Sequence, residues 1–316
     1  MTETQIPASE RHRPTRRGLL KALAGLVLAG TALAGYGFAV EPLLRLAVTR
    51  YRFNPPGWPA DLRLKIAVLA DIHAIEPWMP ASRVAGIAER TNSLGADMVL
   101  LLGDFVSTMR VSTGPVAAAD WAAALAGLRA PLGVHAILGN HDWWSDAGAQ
   151  RRRQGPTEAA NALEAAGIPV YENDAVRLTK DGRGFWLAGL GDQLAFDNGV
   201  VNGHRVFSGV DDLDATLAQV TDDAPVLLMA HEPDIFPTVP DRVALTLCGH
   251  THGGQVRLFG YSPVVPSSYG NRFAYGHIVE TGRHLLVSGG LGSSIVPLRF
   301  GVPPEIVLIE LGGGDG

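Results

Sequence analysis

Residues 249–254 read Gly-His-Thr-His-Gly-Gly: two imidazoles one residue apart, framed by three glycines, at the end of an apolar run that includes Cys248. The pattern recurs along the chain. The apolar run 64–70 is followed by Asp71-Ile72-His73, the run 98–103 by Asp104, and the run 134–139 by Asn140-His141-Asp142. The run 225–230 is followed by His231, and the run 243–249 by His250-Thr251-His252. Imidazole and carboxylate donors without thiolate suit Mn, Fe, Zn, Co or Ni, and the mixture does not choose among them. Singly, each position has an ordinary explanation, since an Asp after a strand often makes a turn or a helix cap. Five of the ten histidines fall at such places, which argues for a set. His12, His135, His204, His277 and His284 follow no such pattern and read as structural or solvated. In extended chain residues i and i+2 point the same way, so Asp71 with His73, and His250 with His252, are each expected to aim at one place. Gly249, Gly253 and Gly254, like Gly103 and Gly139 before Asp104 and Asn140, let backbone crowd a site at φ values other residues resist.

The apolar runs read as strands buried on both faces. Further runs at 185–190 and 284–290 complete the series. Between them lie Ala-rich helical stretches at 117–128, 158–167 and 211–220, and a helix opening near Ser82 with Val84, Ile87, Thr91 and Leu94 on one face. Strands alternating with helices predict an α/β sandwich. In open α/β sheets ligands sit beyond the carboxyl ends of the strands, so five such ends along one rim would gather eight donor side chains in one crevice. Trp78, Trp143 and Trp144 follow site-bearing strands and read as core packing before they read as walls of that crevice. The segment 289–294, GGLGSS, is not a dinucleotide fingerprint.

The amino end reads as an address. Arg16-Arg17 precede Gly18-Leu19-Leu20-Lys21, and no charge occurs from Ala22 to Val40. A basic start, an apolar stretch and small residues make an export signal, and the arginine pair resembles the twin-arginine type that carries folded proteins across a bacterial inner membrane. Ala32-Leu33-Ala34 offers a cleavage site, while the uncharged length approaches the ~20 residues of a membrane span. The expected organisation is residues 1–40 as signal peptide or anchor, 41–60 as linker and first edge segment, and 61–316 as one domain. The expected location is the periplasm, or the membrane with the domain outside the cytoplasm.

With 316 residues, 47% hydrophobic and 18% charged, the chain can bury a sizeable core. A formal charge of −5 leaves no electrostatic footprint for nucleic acid. The single cysteine, Cys248, forbids an intrachain disulfide and reads as a small buried hydrophobe.

In order, the motifs DIH, GDF, GNHD, AHEP and GHTHGGQ resemble those of the calcineurin-like metallophosphoesterases, from about Leu64 to about Gln255. GHTHGGQ and the tail at 287–311 look closest to the bacterial phosphodiesterase subgroup of the YkuE/YaeI type. The resemblance implies a four-layer αββα sandwich with two mixed sheets and a dinuclear metal site on one rim. It implies Asp71, His73 and His252 on one ion, Asn140, His231 and His250 on the other, and Asp104 bridging. It further implies a bridging hydroxide as nucleophile and His141 as general acid, with Asp142 beside it raising its pKa, orienting its ring or capping the following helix. Asn140 and Arg299 are expected at the substrate phosphate, with an ordinary surface or ion-paired arginine as the other reading of Arg299. The expected activity is hydrolysis of a small-molecule, lipid or cell-wall phosphoester. A pyrophosphatase acting on a nucleotide-sugar lipid, and a non-catalytic metal-binding envelope protein, are the competing expectations. A nuclease is disfavoured by the acidic balance.

Overall fold

The computed structural model describes residues 15–313. Strands β1 (Ala47–Phe53), β2 (Leu64–Leu69), β3 (Ile75–Glu76), β4 (Met98–Leu102), β5 (Gly114–Pro115), β6 (Val134–Ile137), β7 (Asp174–Lys180) and β8 (Arg183–Gly189) come first along the chain. They are followed by β9 (Phe196–Val201), β10 (His204–Ser208), β11 (Val226–Met229), β12 (Val243–Cys248), β13 (Gly276–Glu280), β14 (Arg283–Val287) and β15 (Glu305–Leu311). Helices are α1 (Arg16–Gly35), α2 (Ala81–Asn92), α3 (Ala118–Leu125), α4 (Asn140–Trp144), α5 (Ala147–Arg152), α6 (Glu158–Ala165) and α7 (Leu213–Ala218).

Two sheets stack face to face. One has the order β1-β15-β2-β4-β6 and the other β13-β14-β12-β11-β8-β7. Both are mixed: β2, β4 and β6 run parallel, as do β8, β11, β12 and β14, while β15 opposes β2, β7 opposes β8 and β13 opposes β14. The period-2 alternation of strands assigns the faces. Ile66 and Val68 of β2 meet Leu227, Met229, Leu245 and Leu247 in the core between the sheets. Ala67 and Leu69 turn outward, in one cluster with Val84 and Ile87 of α2, Trp121 of α3 and Leu163 of α6. The second sheet's outer face is covered more thinly, by α7 and short 3-10 turns such as Pro233–Thr238, around Phe236, Phe273 and the buried Cys248. This is the mixed α/β architecture expected from the sequence, with four layers of unequal thickness.

The helix face expected from Val84, Ile87, Thr91 and Leu94 packs on the first sheet. Its amino end is Pro80 rather than Ser82, and no side chain caps it. Between β1 and β2, Trp58 is buried among the inter-sheet residues, with its indole N–H donating to Leu62 O at 2.8 Å.

The chain from Arg16 to Leu44 is long and apolar enough to cross a membrane. No residue of α1 is buried. The π-helical continuation, Tyr36–Leu44, lies on the domain: Arg299 N–H donates to Gly37 O at 2.9 Å, Arg83 donates to Pro42 O, and the Tyr36 ring stands edge-on to Phe300. His12 lies outside the described residues.

Candidate metal centre

The carboxyl ends of β2, β4, β6, β11 and β12 deliver the donor residues to one rim, as the sequence pattern required. How they do so differs from the expected extended spacing. Asp71 and His73 sit at φ 53° and 47°, Asp104 at 57°, and His250 and His252 at 67° and 52°. All five are in the left-handed region that costs a non-glycine residue of order 1 kcal/mol or more. Each chain turns sharply as it leaves its strand, and His250 and His252 consequently face different partners. His252 Nε2 lies 3.0 Å from His73 Nε2 and 3.5 Å from Asp71 Oδ1. His250 Nδ1 lies 2.9 Å from Asn140 Oδ1.

Donor atoms thus converge in two adjoining groups. Asp71, His73 and His252 form one, and Asp104, His231 and His250 the other, with ligand atoms within 4.8 Å of one another in each; His73, Asp104 and His141 make a third set that overlaps both. Asp104 stands between: its Oδ2 lies 3.5 Å from His73 Nε2 and 3.3 Å from His231 Nε2. Every one of these residues, and Asn140, is buried or nearly so. Backbone crowds the carboxylates closely. A Cβ at Gly249 would lie 2.7 Å from Asp71 Oδ2, and one at Gly139 would collide with Asp104 Oδ1.

The donor set fits divalent or trivalent cations. Nδ1–H of His73 donates to Val106 O at 3.1 Å and Nδ1–H of His231 donates to Leu102 O, which leaves each Nε2 lone pair aimed inward, as ligating imidazoles are held. Among the described residues, Asp71 Oδ2 and His231 Nε2 have no hydrogen-bond partner despite burial. Unpaired buried polar atoms are costly, and a cation would satisfy both. Without an ion the cage is mixed in charge: burial opposes ionisation of Asp104, but His231, His141 and His73 around it hold its carboxyl well below the usual range, while other members favour their neutral forms. Burial pushes the Asp71 carboxyl up to about 7, and burial pushes His73 down to about 3 and His250 down to about 4. Burial also opposes charge on His231, but Asp104 beside it holds its pKa well above the usual range. Cation binding must therefore displace protons.

His141 stands at the edge of both groups, its ring edge-on to His73 with centroids 4.7 Å apart. Thr108 Oγ1 lies 2.9 Å from its Nδ1 and Ser294 Oγ 3.4 Å from its Nε2. Burial lowers its pKa, and Asp104 opposes that. Trp144 tilts over the same ring at 5.3 Å, as a wall of the crevice, whereas Trp143 is core, packed on Phe196. Trp78 lines a neighbouring cleft.

Two residues stand elsewhere than at the substrate side. Asp142 does not reach His141. Its carboxylate accepts N–H groups from Gly139, Asp104, Phe105 and Val106 at 2.8–3.1 Å, so it ties the loop after β4 to the start of α4. That is the capping alternative, extended to a second loop. Arg299 is fully buried, and its guanidinium donates to Gly289 O, Gly292 O and Val302 O, with one nitrogen 3.2 Å from His252 Nδ1. It braces His252 from behind and offers no donor to a phosphate in the crevice.

Sequence reasoning missed Thr108 and Ser294, which lie in loops without a periodic signal. It also missed Asp192, although the rule that found the others applies, since Asp192 follows β8 by three residues. Asp192 and Glu232 form a buried carboxyl pair behind His231; burial, then Glu232, raises Asp192 well above the carboxylate range.

The profile of the calcineurin-like phosphoesterase family matches residues 64–254, three-fifths of the chain and all of the donor residues. The chain is 29% identical over 307 residues to the uncharacterized metallophosphoesterase YkuE of Bacillus subtilis, covering 94% of this chain and 97% of that protein. It is 29% identical over 306 residues to the phosphodiesterase YaeI of Escherichia coli, covering 94% of this chain and 99% of that one. A transmembrane protein with metallophosphoesterase domain from Bos taurus is 26% identical over 316 residues, which cover 64% of its length.

Proposed function

Because the chain belongs to the calcineurin-like phosphoesterase family, a family of metal-dependent phosphoester hydrolases, we propose that its rim holds two metal ions and cleaves phosphodiesters. The observation that carries the count of two is the pair of adjoining donor groups with Asp104 between them. Asp71, His73 and His252 would hold one ion, Asn140, His231 and His250 the other, and Asp104 both. When bound, such ions neutralise phosphate charge and acidify an attacking water. The chain's own residues supply the rest. His141 Nε2 protonates the leaving oxygen, Thr108 fixes the ring through Nδ1, and Trp144 limits its rotation. Ser294 marks the side from which the ester enters. Retention of His141 and its partners favours an enzyme over a purely structural metal site.

The arginine pair at Arg16-Arg17 and the apolar helix behind it support export in the folded state, with α1 as signal or anchor. Cleavage after Ala34 would leave Tyr36–Leu44 on the domain, where it is packed. The proposed organisation keeps residues 61–316 as the catalytic body, with β1 as the edge segment.

The test is turnover of bis-p-nitrophenyl phosphate, p-nitrophenyl phosphate and a lipid pyrophosphate, each with added Mn, Zn or Fe. The diester is expected to be cleaved fastest. Asp104→Ala should empty the site, whereas His141→Ala should keep both ions by elemental analysis and lose about 10²–10⁴-fold in kcat. Loss of metal from the His141 variant would refute its role.

A further inference from the structure

A short ribbon leaves the site after His252. Val256 bridges to Phe300, and Leu258 pairs with Tyr261 across a two-residue turn, through N–H···O bonds of 2.8 and 2.9 Å. The turn residues are Phe259 and Gly260, both at positive φ, 51° and 83°. Such a turn asks for Asn or Asp before the Gly, because a bulky side chain is crowded there. Phe259 is nevertheless at the tip, and its relative exposure is 108%. Tyr261 and Val264 beside it are exposed, and so is Ile295. The Ile295 loop is strapped to the ribbon by the Gln255 carboxamide, which accepts from Ser294 N–H and donates to Val296 O and Leu298 O. An aromatic tip that is unfavourable both in conformation and in water is unusual on a soluble face.

The apolar helix leaves the domain at the base of the same ribbon, where Tyr36 packs on Phe300 and Gly37 O accepts from Arg299 N–H. The chemistry opens there too. Ser294, next to Ile295, faces His141, and a narrow cleft lined by Pro42, Leu43, Trp78, Met109 and Pro297 reaches His73.

We propose that the face bearing Phe259, Tyr261, Val264 and Ile295 sinks into the bilayer that holds α1. The site mouth then opens on the lipid surface and takes a phosphoester of a membrane lipid whose chains stay in the bilayer. Aromatic and aliphatic side chains at that boundary gain by leaving water, as aromatic residues do at membrane interfaces. The substrate half rests on the phosphodiesterase reading, and the surface rests on α1 being retained as an anchor.

Cys248 is the only cysteine and is fully buried, so an introduced cysteine carries a label alone. Full-length Phe259→Cys, and Asp223→Cys in the exposed turn before β11 at the far end of the strands, are labelled with a fluorophore. Both are reconstituted in vesicles of phosphatidylethanolamine and phosphatidylglycerol. The label at 259 is expected to lose its quenching by aqueous iodide and gain quenching by brominated lipid, while that at 223 stays open to iodide. Equal iodide quenching at the two positions overturns the surface. Protection at 259 without quenching by brominated lipid also overturns it, and assigns the patch to a protein. For the substrate, the same vesicles are given alkyl p-nitrophenyl phosphodiesters of rising chain length. Cleavage of the methyl ester shows that the phosphodiesterase reading stands. KM should then fall several-fold as chains long enough to enter the bilayer are reached. A KM that stays level or rises, because the substrate is withdrawn into lipid away from a water-facing mouth, overturns the lipid assignment.

Discussion

The Asp142 carboxylate shows how one side chain sets the place of several others. Four backbone N–H groups from two loops end on its two oxygens. One of those loops carries Asp104, which stands between the two donor groups, and the other carries Asn140 and His141. Asp142→Ala leaves four buried donors without partners, each worth about 1–3 kcal/mol unsatisfied. We expect a loss of at least about 3 kcal/mol in urea unfolding, together with a lower metal content, although Asp142 faces no ion. Asp142→Asn keeps the volume but turns an NH₂ toward N–H groups, and should fall between. Full metal occupancy in the Ala variant would show that the loops hold their places without it. Its neighbour in sequence, His141, acts on the opposite side. The motif therefore holds one residue that faces the donor groups and one that ties two loops together, a division that spacing alone does not reveal.

Among the elements, α3 matters to the centre more than its distance along the chain suggests. Trp121 is fully buried and stacks on Phe105, with ring centroids 5.2 Å apart and planes 11° from parallel. Phe105 directly follows Asp104, so the helix presses on the loop that presents the shared carboxylate. Trp121→Ala is expected to cost about 3–5 kcal/mol in denaturant unfolding. It should also weaken metal binding in a titration, whereas Trp58→Ala, between the sheets and away from the rim, should cost stability with less effect on affinity. Most of the central strands and the principal helices were legible in the sequence, because apolar runs buried on both faces need no partner to identify them. Beyond the edge segment expected within 41–60, the edge strands β7 and β13 were not, since half-exposed strands such as β7, with Arg177 and Lys180 among its residues, lack that signature. The set of donors was legible as ends of strands. Their left-handed turns were not, for nothing in an Asp or a His announces a positive φ. Nor was the fate of Arg299, whose burial depends on carbonyls from three separate positions.

At the scale of the molecule, buried neutral imidazoles outside the centre tie stability to pH. His135 Nε2–H donates to Leu132 O at 2.8 Å, its Nδ1 accepts from the Tyr171 hydroxyl at 2.9 Å, and burial lowers its pKa. His277 and His284, paired at 3.0 Å, are lowered as well, by burial. Below pH about 6.5 the unfolded chain takes up protons that the folded chain refuses, so stability falls from there until the depressed native values are reached. The urea midpoint should drop between pH 7.5 and 5.5, by a smaller amount in His135→Gln. An equal drop in that variant would remove His135 from the account. The strand order carries a last consequence. β1 and β2 are successive in the chain yet never touch, because β15 lies between them, parallel to one and antiparallel to the other. The first sheet cannot be completed until residues 305–311 have emerged from the ribosome, long after the amino-terminal helix has been made. Synthesis and folding are thus out of step by nearly the whole length of the chain.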